Sequence, residues 1–477
     1  MLSLAILQPF AAAATLAAVP AASGARARAV AVAVAALSLA LLVGVWIGHE
    51  GGGFGAVAEV PWIPTLGIAW RVGVDGMSLA LLLMTAVVFL AAIAWPMEIA
   101  GRRAWYAWML FLLGASLGLF AALDLILFYV FFDLSLVGMY FLIGRWGHGE
   151  AEHAALKFFI YTLAGSLLIL IGIIVLAISG PQITFDMRAL IAEPVLAGAG
   201  PGTGTGTGVV PALVLLAFVV GFGIKTPVFP LHTWLPPAHV DAPGPASAIL
   251  AGVLLKMGTY GLVRLPLQMM PETFARFALP IALVGLVSIL WGALVAFAQG
   301  NLKRRIAYTS VNHMGYAVLG IAVAGSALGP ETARELAMTG AVVEMVAHGL
   351  ITGALFLIAG AIWSRAQDYE LDRLGGLAGV APRLTGAALL AAFASLGLPG
   401  LAGFVAELHI FLGTFAVYPW IASIGLLGIL VTAALFLRLV RQAFFGALPE
   451  ARAGFADLTR TEAALLGGLL ALVVLIG

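Results

Sequence analysis

Long apolar stretches recur along the whole chain, and polar or turn-forming residues separate them. A helix needs about 20 apolar residues to cross the hydrocarbon core of a bilayer. The pattern therefore predicts an all-α polytopic membrane protein with about fourteen transmembrane helices. We expect these spans near residues 2–19, 28–48, 74–95, 104–121, 122–143, 154–178, 208–228, 245–265, 276–298, 304–325, 336–363, 382–414, 420–444 and 460–477.

Composition supports this reading. Of the 477 residues, 63% are hydrophobic and only 9% are charged, whereas soluble domains carry about 25% charged residues. The net charge of +1 gives no basic surface for nucleic acid. The chain has no cysteine, which excludes thiolate-held iron–sulfur clusters within it.

The two ends of the chain are both apolar. No positive residue precedes the first stretch, so we expect a retained helix rather than a cleaved signal peptide. The last stretch reaches Gly477 without a polar tail, which is compatible with a C-terminus that continues further.

Loop charges predict the orientation. Of the 23 Lys and Arg residues, sixteen lie in or beside loops after odd-numbered spans, and five lie in loops after even-numbered spans. Because Lys and Arg are enriched in cytoplasmic loops, we expect both termini on the outer side of a bacterial inner membrane. The remaining two, Lys225 and Lys256, lie inside apolar stretches.

Two spans carry prolines that should interrupt them. The seventh runs into a Pro-rich segment at 225–237, and the twelfth contains LGLPG at 396–400. Proline removes a backbone donor and clashes with the preceding turn, and freed backbone groups survive only inside protein or beside a hydrated cavity. Breaks at matching places in two halves indicate an inverted-repeat transporter, although simple packing kinks are the alternative.

These breaks suggest a division of the chain into four parts. Three N-terminal helices occupy 1–103, a first five-helix repeat 104–265, a second, inverted repeat 266–444, and a last helix 445–477. The glycine-rich stretch 198–208 does not fit a dinucleotide-binding fingerprint and is expected to be an outer loop.

Ionisable side chains inside the spans are the candidate functional residues, because a charge at the bilayer centre is costly and is functional by default. They are Asp133, Lys225, Lys256, His313, Glu344, His348 and Glu407.

Lys225 lies just before the Pro-rich break, where water can reach it. Asp133 is the expected partner, and a movable carboxylate would switch the lysine between holding and releasing a proton. The alternative is a static ion pair that locks two helices. Lys256 has Tyr260 one turn away on the same helix face and no carboxylate nearby in sequence, which favours a titrating relay over a structural pair.

The other candidates each have two interpretations. Glu407 follows the second break and is either a proton gate or a satisfied core carboxylate. Glu344 and His348 are four apart on one helix face and suit a relay; a metal site would need a third ligand. His313 is a relay or a packed core histidine.

Two further basic groups lie at the ends of spans. Lys303 is expected to be a cytoplasmic anchor, or else to face a hydrated pocket. His239 is expected to be interfacial.

Four segments together resemble the antiporter-like subunits of respiratory complex I. They are KTPVFPLHTWLPPAH at 225–239, LLKMG at 254–258, LKRRIAYTSVNHMG at 302–315 and LPGLAGFVAE at 398–407. Subunits of Mrp sodium/proton antiporters and membrane-bound hydrogenases share this set. Glu407, together with FFDLSLVGMYFLIGRWG at 131–147 and KFFIYT at 157–162, is most similar to the M type of complex I subunit.

The resemblance implies a fourteen-helix fold with two inverted repeats, two discontinuous helices and no cofactor in this chain. NADH, FMN, iron–sulfur clusters and quinone would bind partner subunits, and L-type and N-type subunits would be neighbours. Proton transfer would use Asp133, Lys225, Lys256, His313, His348 and Glu407. The family normally has glutamate at the position of Asp133, so the shorter side chain needs closer helices or a bridging water to reach Lys225.

Overall fold

The structure is a helical bundle that carries one β-hairpin. The computed structural model describes residues 1–18, 23–196 and 208–477. The predicted connection at 198–208 falls mainly on 197–207, which lies outside the described residues. In chain order the elements are α1 (Leu2–Ala18), α2 (Gly24–Ile47), β1 (Gly55–Ile63), β2 (Ile68–Val74), α3 (Gly76–Ala94), α4 (Arg102–Ala121), α5 (Leu125–Trp146), α6 (Ala151–Ile178), α7 (Met187–Ala192), α8 (Val209–Lys225), α9 (Leu235–Asp241), α10 (Gly244–Leu267), α11 (Pro271–Arg276), α12 (Ala278–Ala298), α13 (Leu302–Ala324), α14 (Glu331–Ala366), α15 (Pro382–Ser395), α16 (Ala402–Val417), α17 (Pro419–Phe444) and α18 (Arg460–Ile476).

The predicted spans coincide with helices. Each of the fourteen apolar stretches falls on one helix, or on two helices separated by a break. Within the described part of the chain, nine helices are long and apolar enough to cross a membrane by length and composition. The number of crossings beyond these nine stays a prediction.

Both predicted interruptions are present. The first separates the end of α8 at Lys225 from the start of α9 at Leu235, and the second separates the end of α15 at Ser395 from the start of α16 at Ala402. In both places prolines prevent the helix from continuing.

The prediction of an all-α chain missed the hairpin. Strands β1 and β2 pair antiparallel, and a short turn closes them at Gly67, whose φ of 71° is left-handed. A search for runs of about 20 apolar residues does not detect strands of nine and seven residues. Two prolines, Pro61 and Pro64, also exclude a continuous helix here.

Ion pairs attach the hairpin to one end of the bundle. We call the end that carries β1 and β2 the hairpin face. Arg71 on β2 lies 2.8 Å from Glu59 on β1 and 2.9 Å from the buried Asp124, which caps the start of α5. Arg188 on α7 lies 2.9 Å from the second carboxylate oxygen of Glu59. The hairpin is therefore held to two separate parts of the bundle.

Helices α10 and α14 form the centre of the bundle. Every residue of α10 within its most apolar stretch is buried, and α14 is largely buried. A side chain on Gly252 would lie 3.1 Å from the carbonyl oxygen of Gly349, and one on Gly349 would lie 2.8 Å from that of Gly252. Glycine at both positions lets the helix backbones approach closely, so the residues beside this contact face each other.

Candidate functional site

The six predicted site residues lie on six different helices. Five of them are buried, and Asp133 on α5 is half-buried. The other five are Lys225 at the end of α8, Lys256 on α10, His313 on α13, His348 on α14 and Glu407 on α16.

Lys256 and His348 form a direct contact in the centre. The Nζ of Lys256 lies 2.5 Å from Nδ1 of His348 and donates a second hydrogen bond of 2.5 Å to the carbonyl oxygen of Ala251. The close approach of Gly252 and Gly349 brings these side chains together. Ala251 belongs to a π-helical turn, Leu250–Leu254, a feature frequent at functional sites. The contact allows one proton to reside on either nitrogen.

His313 forms the second contact of the row, with both ring nitrogens bonded. Its Nδ1 lies 3.1 Å from Oε1 of Glu344, and its Nε2 lies 3.0 Å from the hydroxyl of Ser395, where α15 ends. The rings of His313 and His348 are 5.5 Å apart between centroids. We call the four side chains Lys256, His348, His313 and Glu344 the central row.

Sequence reasoning found most of this row but not its bonding. Glu344 was recognised by its spacing from His348, whereas Ser395 carried no signal because its role depends on the end of a broken helix. In the described part of the chain, no group of three or more His, Cys, Asp or Glu residues could hold a metal ion.

Glu407 lies beyond the central row, against the second break. Its side chain is 4% exposed. A Cβ on Gly397 would be 2.4 Å from its Oε2, so the carboxylate packs directly on the backbone of the break. Glu344 and the buried Tyr316 are its electrostatic neighbours.

The predicted partners Asp133 and Lys225 are not in direct contact. Among the described residues, no ion pair within 4.0 Å joins them. The Nζ of Lys225 instead donates to the hydroxyl of Ser135 at 3.4 Å and lies 5.0 Å from the ring centre of Phe132. Phe132 and Ser135 are three residues apart and share a helix face, whereas Asp133 is rotated by about 100° from Phe132 around α5. The buried Oδ1 of Asp133 has no hydrogen-bond partner among the described residues.

A second group of basic side chains lies on the side opposite the hairpin face. Lys303 is fully buried, and its Nζ donates to the carbonyl oxygens of Val240 and Ala242. His239 is also fully buried and stacks on Phe356, 4.4 Å between centroids. The burial of Lys303 contradicts an exposed anchor, because the short helix α9 packs both groups into the bundle. The alternative of a pocket beside Lys303 and the interfacial depth of His239 stay predictions.

A cavity of about 540 Å³ opens beside this group. Its lining includes Trp146, His148, Trp363 and Tyr369. Burial, together with the positive charge of Lys303, lowers the pKa of His148 to about 4, so this histidine is neutral at neutral pH. The cavity lies within reach of the buried Lys303, whose Nζ is 5.4 Å from the ring centre of Tyr369.

Comparisons with known proteins identify the family. The profile of the family described as NADH:quinone oxidoreductase/Mrp antiporter, TM, matches residues 122–451. The chain is 39% identical over 402 residues to NAD(P)H-quinone oxidoreductase chain 4 3 of Trichormus variabilis, covering 83% of this chain and 71% of the relative. It is also 39% identical over 402 residues to chain 4 2 of Thermosynechococcus vestitus, covering 82% and 72%.

Solved structures show the same fold. A chain of respiratory complex I from Thermus thermophilus with bound NADH is 32% identical, with a TM-score of 0.89 over 100% of this chain and 95% of that chain. A chain of the Mrp complex from a Dietzia species is 22% identical, with a TM-score of 0.85 over 99% and 93%, which shows likeness of fold alone. The chain is therefore a multi-pass membrane protein and belongs to the NADH:quinone oxidoreductase/Mrp antiporter transmembrane family.

Proposed function

We propose that this chain is the M-type proton-translocating subunit of an NADH:quinone oxidoreductase in a bacterial inner membrane. It moves protons through its buried ionisable side chains and carries out no redox chemistry itself. NADH, FMN, iron–sulfur clusters and quinone bind other subunits, and L-type and N-type antiporter-like subunits flank this one in the membrane.

The central row carries this proposal. Four ionisable side chains from three helices lie in two bonded contacts, 2.5 Å between Lys256 and His348 and 3.1 Å between His313 and Glu344. All four are buried. A membrane scaffold gains nothing from burying such groups, because each is costly in the bilayer, whereas a proton path needs donors and acceptors at these separations.

Roles follow from position along the path. Lys225 exchanges protons with Asp133 at the start, aided by Ser135 or by water, because the two charged groups are not in direct contact. The central row passes the proton between α10, α14 and α13. Glu407 receives it at the second break and releases it.

The wider architecture is part of the same proposal. The chain crosses the membrane fourteen times with both termini on the outer side, which places the hairpin face outside. Helices in 104–265 and 266–444 form two inverted five-helix repeats, preceded by three helices in 1–103 and followed by one in 445–477. The two helix breaks occupy corresponding places in the repeats, which supports this division.

The test is NADH-driven proton uptake by inverted membrane vesicles that contain the intact complex and no other NADH dehydrogenase. We expect Lys256→Met to abolish uptake and to slow quinone reduction, while the complex still assembles. Lys157→Met, the same change at a partly exposed lysine of α6, is the matched control and should pump normally. Normal pumping by Lys256→Met would contradict the proposal.

Sodium dependence separates the alternative function. A subunit of an Mrp-type antiporter would exchange protons for Na⁺ without NADH. We therefore expect uptake in the wild type to require NADH and to be unchanged when Na⁺ is replaced by choline. Uptake that follows a sodium gradient in the absence of NADH would favour the antiporter.

A further inference from the structure

A buried arginine stands between Lys256 and the hairpin face. Lys256, Tyr260 and Arg264 are spaced four residues apart along α10 and so lie on the same helix face. Arg264 is eight residues beyond Lys256, about 12 Å along the axis. Because α10 ends at the hairpin face, this stripe is the direct route from the central lysine to that face.

Hydrogen bonds and rings fix the arginine in place. Its Nε donates to the hydroxyl of Tyr260 at 3.0 Å, and its Nη2 pairs with Oδ1 of Asp75, the residue that caps α3. The guanidinium also lies 5.0 Å from the ring centre of Phe54. Tyr260 in turn donates to the carbonyl oxygen of Phe120 at 3.0 Å. A guanidinium held in this way is permanently charged.

The ion pair has a direction. The side chain of Arg264 is 1% exposed, whereas that of Asp75 is 22% exposed. The positive end therefore points into the protein, towards Lys256, and the negative end lies nearer the surface. A proton that leaves Lys256 along this stripe would meet Tyr260, whose hydroxyl is bonded to the fixed cation. Fixed arginine charges exclude protons from pores by this kind of repulsion.

We propose that Arg264 is an electrostatic barrier that prevents protons on Lys256 from leaving directly to the hairpin face. The barrier directs them to His348 and on to Glu407. This inference rests on the proposed function, because the barrier matters only if Lys256 carries protons. Arg264 is thus a positioning residue that sets the direction of transfer, and Asp75 holds it in place.

The test measures passive proton conductance of proteoliposomes that contain the intact complex, without NADH, under a potassium diffusion potential. We expect Arg264→Met combined with Asp75→Asn, which removes both charges, to raise conductance about twofold. That change equals about 0.4 kcal/mol in the barrier. It is the repulsion between Lys256 and a charge about 12 Å away, less the attraction of the paired carboxylate about 4 Å further off, at an effective dielectric constant of about 20.

Two variants separate charge from packing. Asp75→Asn alone breaks the ion pair but keeps the cation, and Arg264→Lys keeps a positive charge; both should remain as tight as the wild type. The inference is overturned if the double variant conducts protons no faster than the wild type. It is also overturned if Asp75→Asn or Arg264→Lys conducts protons as fast as the double variant. If the double variant does not assemble, Arg264→Gln is measured instead, and a passive proton conductance no higher than that of the wild type overturns the inference.

Pumping is measured separately on the same proteoliposomes. A wild type that does not pump with NADH contradicts the proposed function, whereas the passive conductances decide the role of Arg264 by themselves. A pumping wild type with a tight double variant would therefore overturn the barrier alone.

Discussion

The second helix break positions Glu407, and a single methyl group should disturb it. Gly397 has a φ of 79°, and a Cβ added there would lie 2.4 Å from Oε2 of Glu407. Ordinary van der Waals contact begins at 3.4 Å, so in Gly397→Ala the carboxylate must retreat by about 1 Å, and misplacement of a reacting group by this distance can cost about 100-fold in rate. We expect NADH-driven proton uptake to fall by more than about tenfold.

Gly400 provides a control within the same break. It also has a left-handed backbone, with a φ of 89°, but a Cβ there would meet nothing within 4 Å. Either alanine substitution should destabilise the fold by about 1–2 kcal/mol through backbone strain alone. Only Gly397→Ala should also displace Glu407, so Gly400→Ala should lose stability but retain most of its pumping.

The assay combines dye-quenching measurements of proton uptake in vesicles with the thermal unfolding temperature of the purified complex. The expected result is a similar fall in unfolding temperature for the two variants and a large difference in pumping. Equal pumping by Gly397→Ala and Gly400→Ala would refute the argument, because it would show that the position of Glu407 does not limit transfer.

Three further expectations concern other parts of the site. Glu344→Gln should remove most proton uptake because it removes the negative charge beside His313. His409→Gln should not, because this half-buried histidine bonds to the carbonyl oxygen of Val405 in its own helix; equal effects would contradict the role of Glu344. Asp133→Glu should pump at least as fast as the wild type because the longer side chain approaches the lysine of α8, and Asp133→Asn should pump more slowly; an unchanged Asp133→Asn would exclude the carboxylate from the path. The folded state holds the pKa of His148 at about 4, below its ordinary 6.5, so the unfolded chain binds more protons in this window and stability should fall as the pH drops from about 6.5 to 4. Thermal unfolding measured against pH should show this loss in the wild type and in the exposed-site control His153→Gln, and a flatter profile in His148→Gln; identical profiles for all three would refute it.

The positions of the helices and of both breaks could be predicted from the sequence because each depends on local information. Run length sets the spans, and prolines near residues 227 and 399 set the interruptions. The hairpin could not be found in this way, because its strands are short. Its attachment to the bundle is also not local, because Arg71 pairs with Asp124 from another part of the chain.

The candidate residues were predictable for a related reason, and their partners were not. A lysine inside an apolar stretch, such as Lys256, is conspicuous in any membrane sequence. Its partner His348 is 92 residues away, and only the packing of α10 on α14 brings them together. The burial of Lys303 and His239 inside the bundle could not be predicted, because both lie at the ends of apolar stretches. Their burial results from the packing of α9, which no local pattern indicates.

The bonding within the central row also indicates where transfer is controlled. His313 is held at both ring nitrogens, by Glu344 and by Ser395. His348 is held only at Nδ1, and its buried Nε2 has no hydrogen-bond partner among the described residues. Protons can pass within each contact over 2.5–3.1 Å, but the two rings are 5.5 Å apart, beyond hydrogen-bond reach. Transfer between the contacts therefore requires a bridging water or rotation of a ring, and His348 is the ring with fewer bonds to break. Its remaining bond is to Lys256, so a turn of the ring must break that contact, which couples the first half of the path to the second.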